Sequence, residues 1–534
     1  MAAVLVVSCL IGVASGGHAQ HASWTQLEEL WHAEYKAVEH IKAVMQPVAE
    51  LGDVLKTYVE SWEALVDGLE PHDWGSEDPA AGFSLLRHVA EGWTRVDDAL
   101  QRIKSILHNI EFLASRPDRE PLPNTDDVAA ASEAVARLAH VYRLNTTALG
   151  EGGLLVLDPM AGYHHPLSAN ELMSIGLVAV KKGFLDVGVQ FLRAAKSRAS
   201  IVQLPRLENM LTAAVKVHDH VLEVNGPRSL VHVTATAPYG SLGETSHTEG
   251  VKASVVLGVD YLKRHTNATW MLERRPLVEQ VQVERLCRGE DLRPPHVTSR
   301  LRCRYATGGS PWLALAPFKV EQVSLDPYIT VVYELVSRGE ADQLKKRVKS
   351  HLHIPYTPSG SDSLTPAVEG SWSLKHTWLQ EAETAVLMDV GRRMRHLLGV
   401  TLDNTASEPY MVADYGLGGE YSAHRDTHGP TRTPPHTHIG ERLATVLTYL
   451  QAPTQGGRTV FPWVGAGVGG TAGAAMVWWN LLSSHEHDFL TRHAACPVMR
   501  GRKTVVTKWV GYVPQWRKMS CSADPSRKVM LPWH

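Results

Sequence analysis

Towards its C-terminal end the chain carries, in order, Tyr415, Tyr421, the tripeptide His424-Arg425-Asp426, then His493 and Lys503. Two imidazoles and one carboxylate on one face of a metal ion leave three positions open, the donor set of non-heme Fe(II) oxygenases. His424 and Asp426 reach one ion only in extended chain, where residues i and i+2 share a face. The flanks allow this: Asp414 to Tyr421 is a glycine-broken turn feeding a short strand, and Gly429-Pro430 closes it. Alone, His-x-Asp says little, since a chain with 28 histidines carries about one by chance. The third ligand must come from a separate strand, and His493 opens the apolar run His493-Ala494-Ala495-Cys496-Pro497-Val498. After the Gly501-Arg502 turn, Lys503 starts a strand that can return beside the first. An ammonium there can pair with the distal carboxylate of 2-oxoglutarate while the keto acid end chelates iron.

Other histidine groups do not repeat the pattern. His428, His436 and His438 lie in a proline-threonine loop, and His485-Glu486-His487-Asp488 in another, where mobile backbone fixes coordination poorly. His218-Asp219-His220 sits in a helical pattern, where i and i+2 diverge.

The elements that must position this set begin with helices. Trp24, Leu27, Trp31, Tyr35, Val38, Ile41 and Met45 recur at spacings of three and four until Pro47 interrupts them. Leu86, Val89, Trp93, Val96, Leu100, Ile103, Leu107 and Ile110 repeat the spacing, which by itself describes a bundle burying its own stripes. Asn170 to about Ala195 reads as helix, glycine turn and helix, the size of one tetratricopeptide unit, and Asn209 to Val224 adds a helix. One unit cannot bury its face alone, so flanking helices complete a small solenoid. Residues 226–320 form a mixed, proline-punctuated connector. Beyond it come a strand over Ile329-Thr330-Val331-Val332-Tyr333, a helix near Arg338 to His351, and a longer helix from about Glu381 to Leu398.

At 534 residues the chain holds several domains, and a net charge of -3 with a pI near 6.9 gives no field for nucleic acid or acidic membranes. Residues 2–16 are apolar and Gly17-His18-Ala19 suits cleavage, so residues 1–19 read as a signal peptide, with an uncleaved anchor as the alternative. No later segment reads as a membrane span. Of five cysteines, Cys9 leaves with the leader; the remaining Cys287, Cys303, Cys496 and Cys521 suggest two disulfides with three pairings open. Asn145-Thr146-Thr147 and Asn267-Ala268-Thr269 are glycosylation sequons.

Tyr-Gly-x-Gly-Gly-x-Tyr-x-x-His-x-Asp from Tyr415, Gly456 to Pro462, Trp479-Asn480-Leu481 and Thr491 to Val498 resemble the alpha subunit of collagen prolyl 4-hydroxylase. The likeness is specific over about residues 406–512 and fainter along nearly the whole chain. It implies an α+β multidomain fold in which N-terminal helical domains precede a C-terminal double-stranded β-helix (jelly-roll) dioxygenase domain. The domains it implies are 20–140 for dimerisation, 141–225 for peptide binding and 321–534 for catalysis. It implies Fe(II) on His424, Asp426 and His493, with Lys503 on 2-oxoglutarate and Tyr415, Tyr421, Arg442, Thr459 and Trp509 lining the pocket. Phe461, Trp478 and Trp479 would wall it.

The implied reaction is hydroxylation of peptidyl proline at C4 with ascorbate as reductant, in the endoplasmic reticulum lumen. The implied partners are a collagen-like peptide and protein disulfide isomerase in an alpha2beta2 tetramer. The implied disulfides are Cys287 with Cys303 and Cys496 with Cys521. Two departures stand out. Gly511 occupies a position where relatives commonly carry a histidine that assists 2-oxoglutarate, and Val180, Phe184, Leu185 and Val187 lie where relatives are rich in tyrosine. They keep open a related hydroxylase acting on non-collagen peptides and a catalytically weak assembly subunit.

Overall fold

The computed structural model describes residues 24–45, 52–67, 78–103, 123–152, 165–225, 279–307, 311–352, 356–358, 364–366, 374–427 and 438–519, with 522, 524 and 529. The leader, Pro47, Leu107, Ile110, Asn267 and Cys521 lie outside the described residues, as do His428 and His436. Two compact units divide the chain, residues 1–243 and 244–534.

The first unit is helical. Its helices are α1 (Trp24–Met45), α2 (Gly52–Leu65), α3 (Pro79–Ile103), α4 (Thr125–Tyr142), α5 (Thr146–Gly150), α6 (Ala169–Lys181), α7 (Leu185–Arg198) and α8 (Leu204–Asn225). Leu27, Trp31 and Val38 on α1 and Val89, Trp93 and Val96 on α3 are buried, so the three-and-four spacing marks the packed face. Trp31 meets Trp62 of α2 with ring centroids 4.9 Å apart; each such ring contributes roughly 1.5–3 kcal/mol by leaving water. The starts of α4 and α6 are fixed by capping boxes, Asn124 with Asp127 and Ser168 with Glu171. Helices α6 and α7 form the expected hairpin, and glycines let them close: a Cβ on Gly188 would lie 2.6 Å from Val180 Cγ2 and 3.0 Å from the Gly176 carbonyl oxygen. Phe184, Leu185 and Val187 are buried in this contact. No helix among the described residues is long and apolar enough to cross a membrane.

The second unit is built on antiparallel sheets. Its strands are β1 (Cys303–Ala306), β2 (Phe318–Leu325), β3 (Tyr328–Tyr333), β4 (Tyr356–Pro358), β5 (Leu364–Pro366), β6 (Leu374–Leu379), β7 (Tyr410–Tyr415) and β8 (Tyr421–His424). They continue as β9 (Arg442–Gln451), β10 (Gln455–Gly456), β11 (Thr459–Phe461), β12 (Ala466–Val468), β13 (Ala475–Trp479), β14 (His493–Ala495), β15 (Val498–Arg500) and β16 (Lys503–Gly511). Eight strands form a major sheet in the order β1-β2-β3-β13-β9-β16-β7-β6, and a four-stranded sheet runs β12-β11-β14-β8.

Strand alternation sorts the major sheet into two cores. Ala475, Val477 and Trp479 pack with the helices Arg338–Val348 and Ala385–Leu398 on one face, whereas Met476 and Trp478 join Phe461 and Ala495 of the minor sheet on the other. The helix expected from Glu381 is split: Glu381–Glu383 form a 3₁₀ turn, and extended Thr384 caps Ala385–Leu398 by accepting from the Leu387 amide. A helical N-terminal region and a two-sheet jelly-roll domain are the fold class the sequence implied.

Candidate active site

The metal-type donors meet through strand register. Strands β8 and β14 pair antiparallel with His493 directly opposite His424, and Asp426 follows two residues beyond the end of β8. Nδ1 of His424 lies 2.8 Å from the Ser422 carbonyl oxygen, and Nδ1 of His493 lies 2.9 Å from that of Thr491. A carbonyl only accepts, so each Nδ1 carries a proton, and Nε2 is the nitrogen each ring turns towards Asp426. Those Nε2 atoms stand 3.8 and 3.9 Å from Asp426 Oδ1, and the three donor atoms all lie within 4.8 Å of one another. Two ring nitrogens and a carboxylate oxygen converging on one point form a site that a cation at their centre would satisfy by ligation. Burial and the neighbouring His493 push His424 down to about 3, so it is in the neutral form a metal requires. Burial pushes Asp426 up, but the imidazoles, Arg442 and the Thr445 hydroxyl around it hold its carboxyl below the usual range.

Supporting side chains close around this centre. The Tyr421 ring stacks on His424 at 3.6 Å between centroids, and Trp478 and Phe461 lie 4.7 and 5.7 Å from the His493 ring. Trp479 faces the helices instead, because adjacent residues of a strand point to opposite faces. Thr445 on β9 donates to Asp426 Oδ2 at 2.6 Å and accepts from Asn480 Nδ2 at 2.8 Å. Arg442 lies 3.7 Å over the Trp509 ring, donates to the Asp426 carbonyl at 3.1 Å and pairs with Glu408 at 2.7 Å. Arg492, beside His493, pairs with Glu279 and donates to the Ala423 carbonyl. Glu279 also accepts from Trp463 Nε1 at 2.8 Å.

Lys503 lies further along, on the other side of Tyr415, whose phenol feels both Tyr421 and Asp426. It opens β16 opposite Tyr415 of β7 and is fully buried. Its Nζ donates to the Gly457 carbonyl at 2.9 Å and lies 4.6 Å and 5.5 Å from the Tyr415 and Tyr449 ring centroids. Burial alone drops the ammonium to about 7, since no carboxylate among the described residues offsets it. Burial raises the Tyr415 phenol and pushes Tyr449 up to about 12, so both remain neutral; the Tyr449 hydroxyl is 2.7 Å from Thr459 Oγ1. Three convergent donors and a buried, uncompensated ammonium fit Fe(II) and a dianionic 2-oxo acid.

The residues the sequence nominated thus fall into three groups. His424, Asp426 and His493 converge with Tyr421 beside them, Lys503 gathers Tyr415 and, through Tyr449, Thr459, and Arg442 with Trp509 braces the Asp426 backbone. Thr445, Tyr449, Glu408 and Arg492 were not nominated, and Asn480 appeared only inside a motif. The available signal was Thr445 and Tyr449 recurring at even spacing on a strand otherwise apolar on that face.

The cysteine pairing differs from the implied one. Cys287 bonds to Cys496 with Cα atoms 5.5 Å apart, and Cys303 is a free, exposed thiol. The reason is topological. The Leu292 amide donates to the Gly465 carbonyl at 2.9 Å and Glu279 pairs with Arg492, which holds the helix of residues 279–287 against the minor sheet. Cys303 meanwhile runs onto β1 at the edge of the major sheet, opposite Glu321. Cys496 is therefore not available to Cys521. Asn145 is exposed and caps α5 through Oδ1. Gly511 is a close-approach position: a Cβ there would sit 2.4 Å from the Ile439 carbonyl oxygen and 2.5 Å from its Cβ.

Comparison with known proteins matches residues 23–155 to the prolyl 4-hydroxylase alpha-subunit N-terminal region and residues 410–511 to the 2OG-Fe(II) oxygenase superfamily. Prolyl 4-hydroxylase subunit alpha-2 of Gallus gallus is 27% identical over 91% of this chain and 91% of its own length. Subunit alpha-3 of Bos taurus is 27% identical over 92% and 94%, and subunit alpha-1 of Homo sapiens 26% over 95% and 96%. Among solved structures, a viral collagen prolyl hydroxylase from Paramecium bursaria Chlorella virus 1, in its 2OG complex, aligns at 23% identity over 34% of this chain and 94% of that one, with a TM-score of 0.28. The chain is thus similar to prolyl 4-hydroxylase alpha subunits along more than nine-tenths of its length, and its residues 410–511 match an oxygenase superfamily that uses Fe(II) and 2-oxoglutarate.

Proposed function

We propose that this chain hydroxylates C4 of peptidyl proline in collagen-like peptides, consuming dioxygen and 2-oxoglutarate and releasing succinate and carbon dioxide. The observation that carries the reading is the convergence of His424, Asp426 and His493 within 4.8 Å, with the buried ammonium of Lys503 next to Tyr415. When bound, iron with 2-oxoglutarate supplies the oxidising power that places one oxygen atom into a C–H bond. His424, Asp426 and His493 hold the metal, and Lys503 pairs with the far carboxylate of the cosubstrate. Tyr415 and the Tyr449–Thr459 pair line that end of the pocket. Phe461 and Trp478 exclude water from the reacting carbon. Arg442, stacked on Trp509, keeps the Asp426 loop in place, and ascorbate restores iron oxidised in unproductive turnovers.

The similarity to prolyl 4-hydroxylase alpha subunits supports a place in the secretory pathway, and we assign the protein to the endoplasmic reticulum lumen with protein disulfide isomerase in an alpha2beta2 tetramer. Residues 20–140 are assigned to dimerisation and 141–225 to binding the proline-rich peptide. Phe184, Leu185 and Val187 are buried between helices, which favours a second reading in which prolines of non-collagen peptides are the target. The test is mass-spectrometric detection of 4-hydroxyproline on a proline-proline-glycine repeat and on other proline peptides. Hydroxylation of the repeat, lost in His424→Ala by more than about a thousandfold, or about 4 kcal/mol of barrier, is expected. Product on other peptides alone selects the second reading, and product on none overturns both.

A further inference from the structure

Behind the carboxylate of the candidate metal centre runs a short polar relay on buried strands. Asp426, Thr445 and Asn480 are 6%, 1% and 1% exposed. Asn480 is fixed at both ends of its backbone: its amide donates to the Leu443 carbonyl at 2.8 Å, and its carbonyl accepts from the Asp488 amide at 2.9 Å. Its side-chain nitrogen donates to Thr445 Oγ1 at 2.8 Å, and an amide nitrogen has only protons to offer. The Thr445 hydroxyl therefore has a lone pair occupied and its single proton free, which it gives to Asp426 Oδ2 at 2.6 Å. Oδ2 is engaged on the side away from the imidazoles, and Oδ1 is the oxygen facing both Nε2 atoms at 3.8 and 3.9 Å.

We propose that Asn480 and Thr445 are positioning residues that force Asp426 to ligate through Oδ1 alone. A carboxylate free to rotate can bind one ion through both oxygens, and here that would take a position the 2-oxo acid needs. The relay thus sets both the affinity for metal and the number of positions left open. Thr445 lies opposite Trp478 on β13 and opposite Trp509 on β16, so its side chain is held between two neighbouring strands. This inference rests on the metal reading of His424, Asp426 and His493, and its test separates the two.

Full-length protein is titrated with Co(II) by calorimetry, and the ligand-field absorption is recorded before and after 2-oxoglutarate. Absence of Co(II) binding by the unaltered protein overturns the metal reading itself. If it binds, Thr445→Val, which removes the proton at nearly constant volume, is expected to weaken Co(II) about 10- to 100-fold and to change the absorption bands. Thr445→Ser, which keeps the hydroxyl, restores both. Asn480→Asp puts an acceptor where the donor was and competes for the Thr445 proton, so it too is expected to weaken Co(II) by about tenfold or more. That variant decides the question if Thr445→Val does not fold. Folded variants that bind Co(II) and 2-oxoglutarate within about twofold of the unaltered protein, with unchanged bands, overturn the relay.

Discussion

The two units bury polar groups in opposite ways. In the helical unit Glu34 accepts from Trp93 Nε1 at 2.9 Å and meets His88 Nε2 at 3.3 Å, while His88 Nδ1 lies 3.2 Å from Ser61 Oγ. Glu171 likewise takes Ser84 at 2.9 Å and the Ser168 amide at 2.7 Å. Each of these two carboxylates takes at least one hydrogen bond from inside the unit, which is how buried ions are tolerated. In the sheet unit three metal-type donor atoms converge, and an ammonium is buried beside aromatic rings with no carboxylate among the described residues to offset it. Burial of polar atoms does not by itself mark a site; convergence of several donor atoms on one point does.

That contrast can be broken at Lys503. Lys503→Met keeps most of the volume and removes the charge, so the ligand-free protein is expected to melt no lower, while 2-oxoglutarate binding weakens by about 2–5 kcal/mol. Calorimetric titration alongside thermal melting reads both; a protein melting well below the parent with 2-oxoglutarate affinity intact would assign Lys503 to structure. A smaller effect follows from acidity. Free Lys503 sits at about 7, and pairing with a carboxylate raises it, so binding takes up a proton above that pH. The sign is that 2-oxoglutarate affinity is greatest below pH 7 and falls by about tenfold per pH unit above it. Anaerobic titrations in buffers of different ionisation enthalpy measure that proton uptake directly.

Two stability effects sharpen the other side. Glu34→Ala orphans Trp93 Nε1, which is expected to cost about 1–3 kcal/mol in denaturant unfolding of the helical unit, with 2-oxoglutarate binding unchanged. Gly511→Ala pushes a methyl group against the Ile439 backbone and is expected to cost about 1–3 kcal/mol. A melting temperature equal to the parent's would mean that the 438–440 segment yields freely. Gly511 is therefore tied to packing in this chain: the space a histidine side chain would enter is already filled by Ile439.

How much of this was legible differs by residue. His424 and Asp426 were readable because alternation along a strand is local, and the face of α1 because helical spacing is local. Thr445 was not readable, since a threonine in an apolar strand gains meaning only when Asp426 and Asn480 come to its two sides. The cysteines misled because the resemblance implied Cys287 with Cys303, whereas helix and strand carried those residues apart.

The sequence by itself determined the donor types, the close spacing of two of them at the end of a strand, the ammonium ten residues past the third, and the helical character of the first third. These follow from side-chain chemistry and from short-range periodicity, which no distant residue can alter. Only the tertiary structure decided that His493 stands opposite His424, that Cys496 bonds to Cys287, that Thr445 turns its proton to Asp426, and that Ile439 fills the space beside Gly511. Each depends on strand register and chain crossing, where a shift of one residue would turn every side chain to the other face.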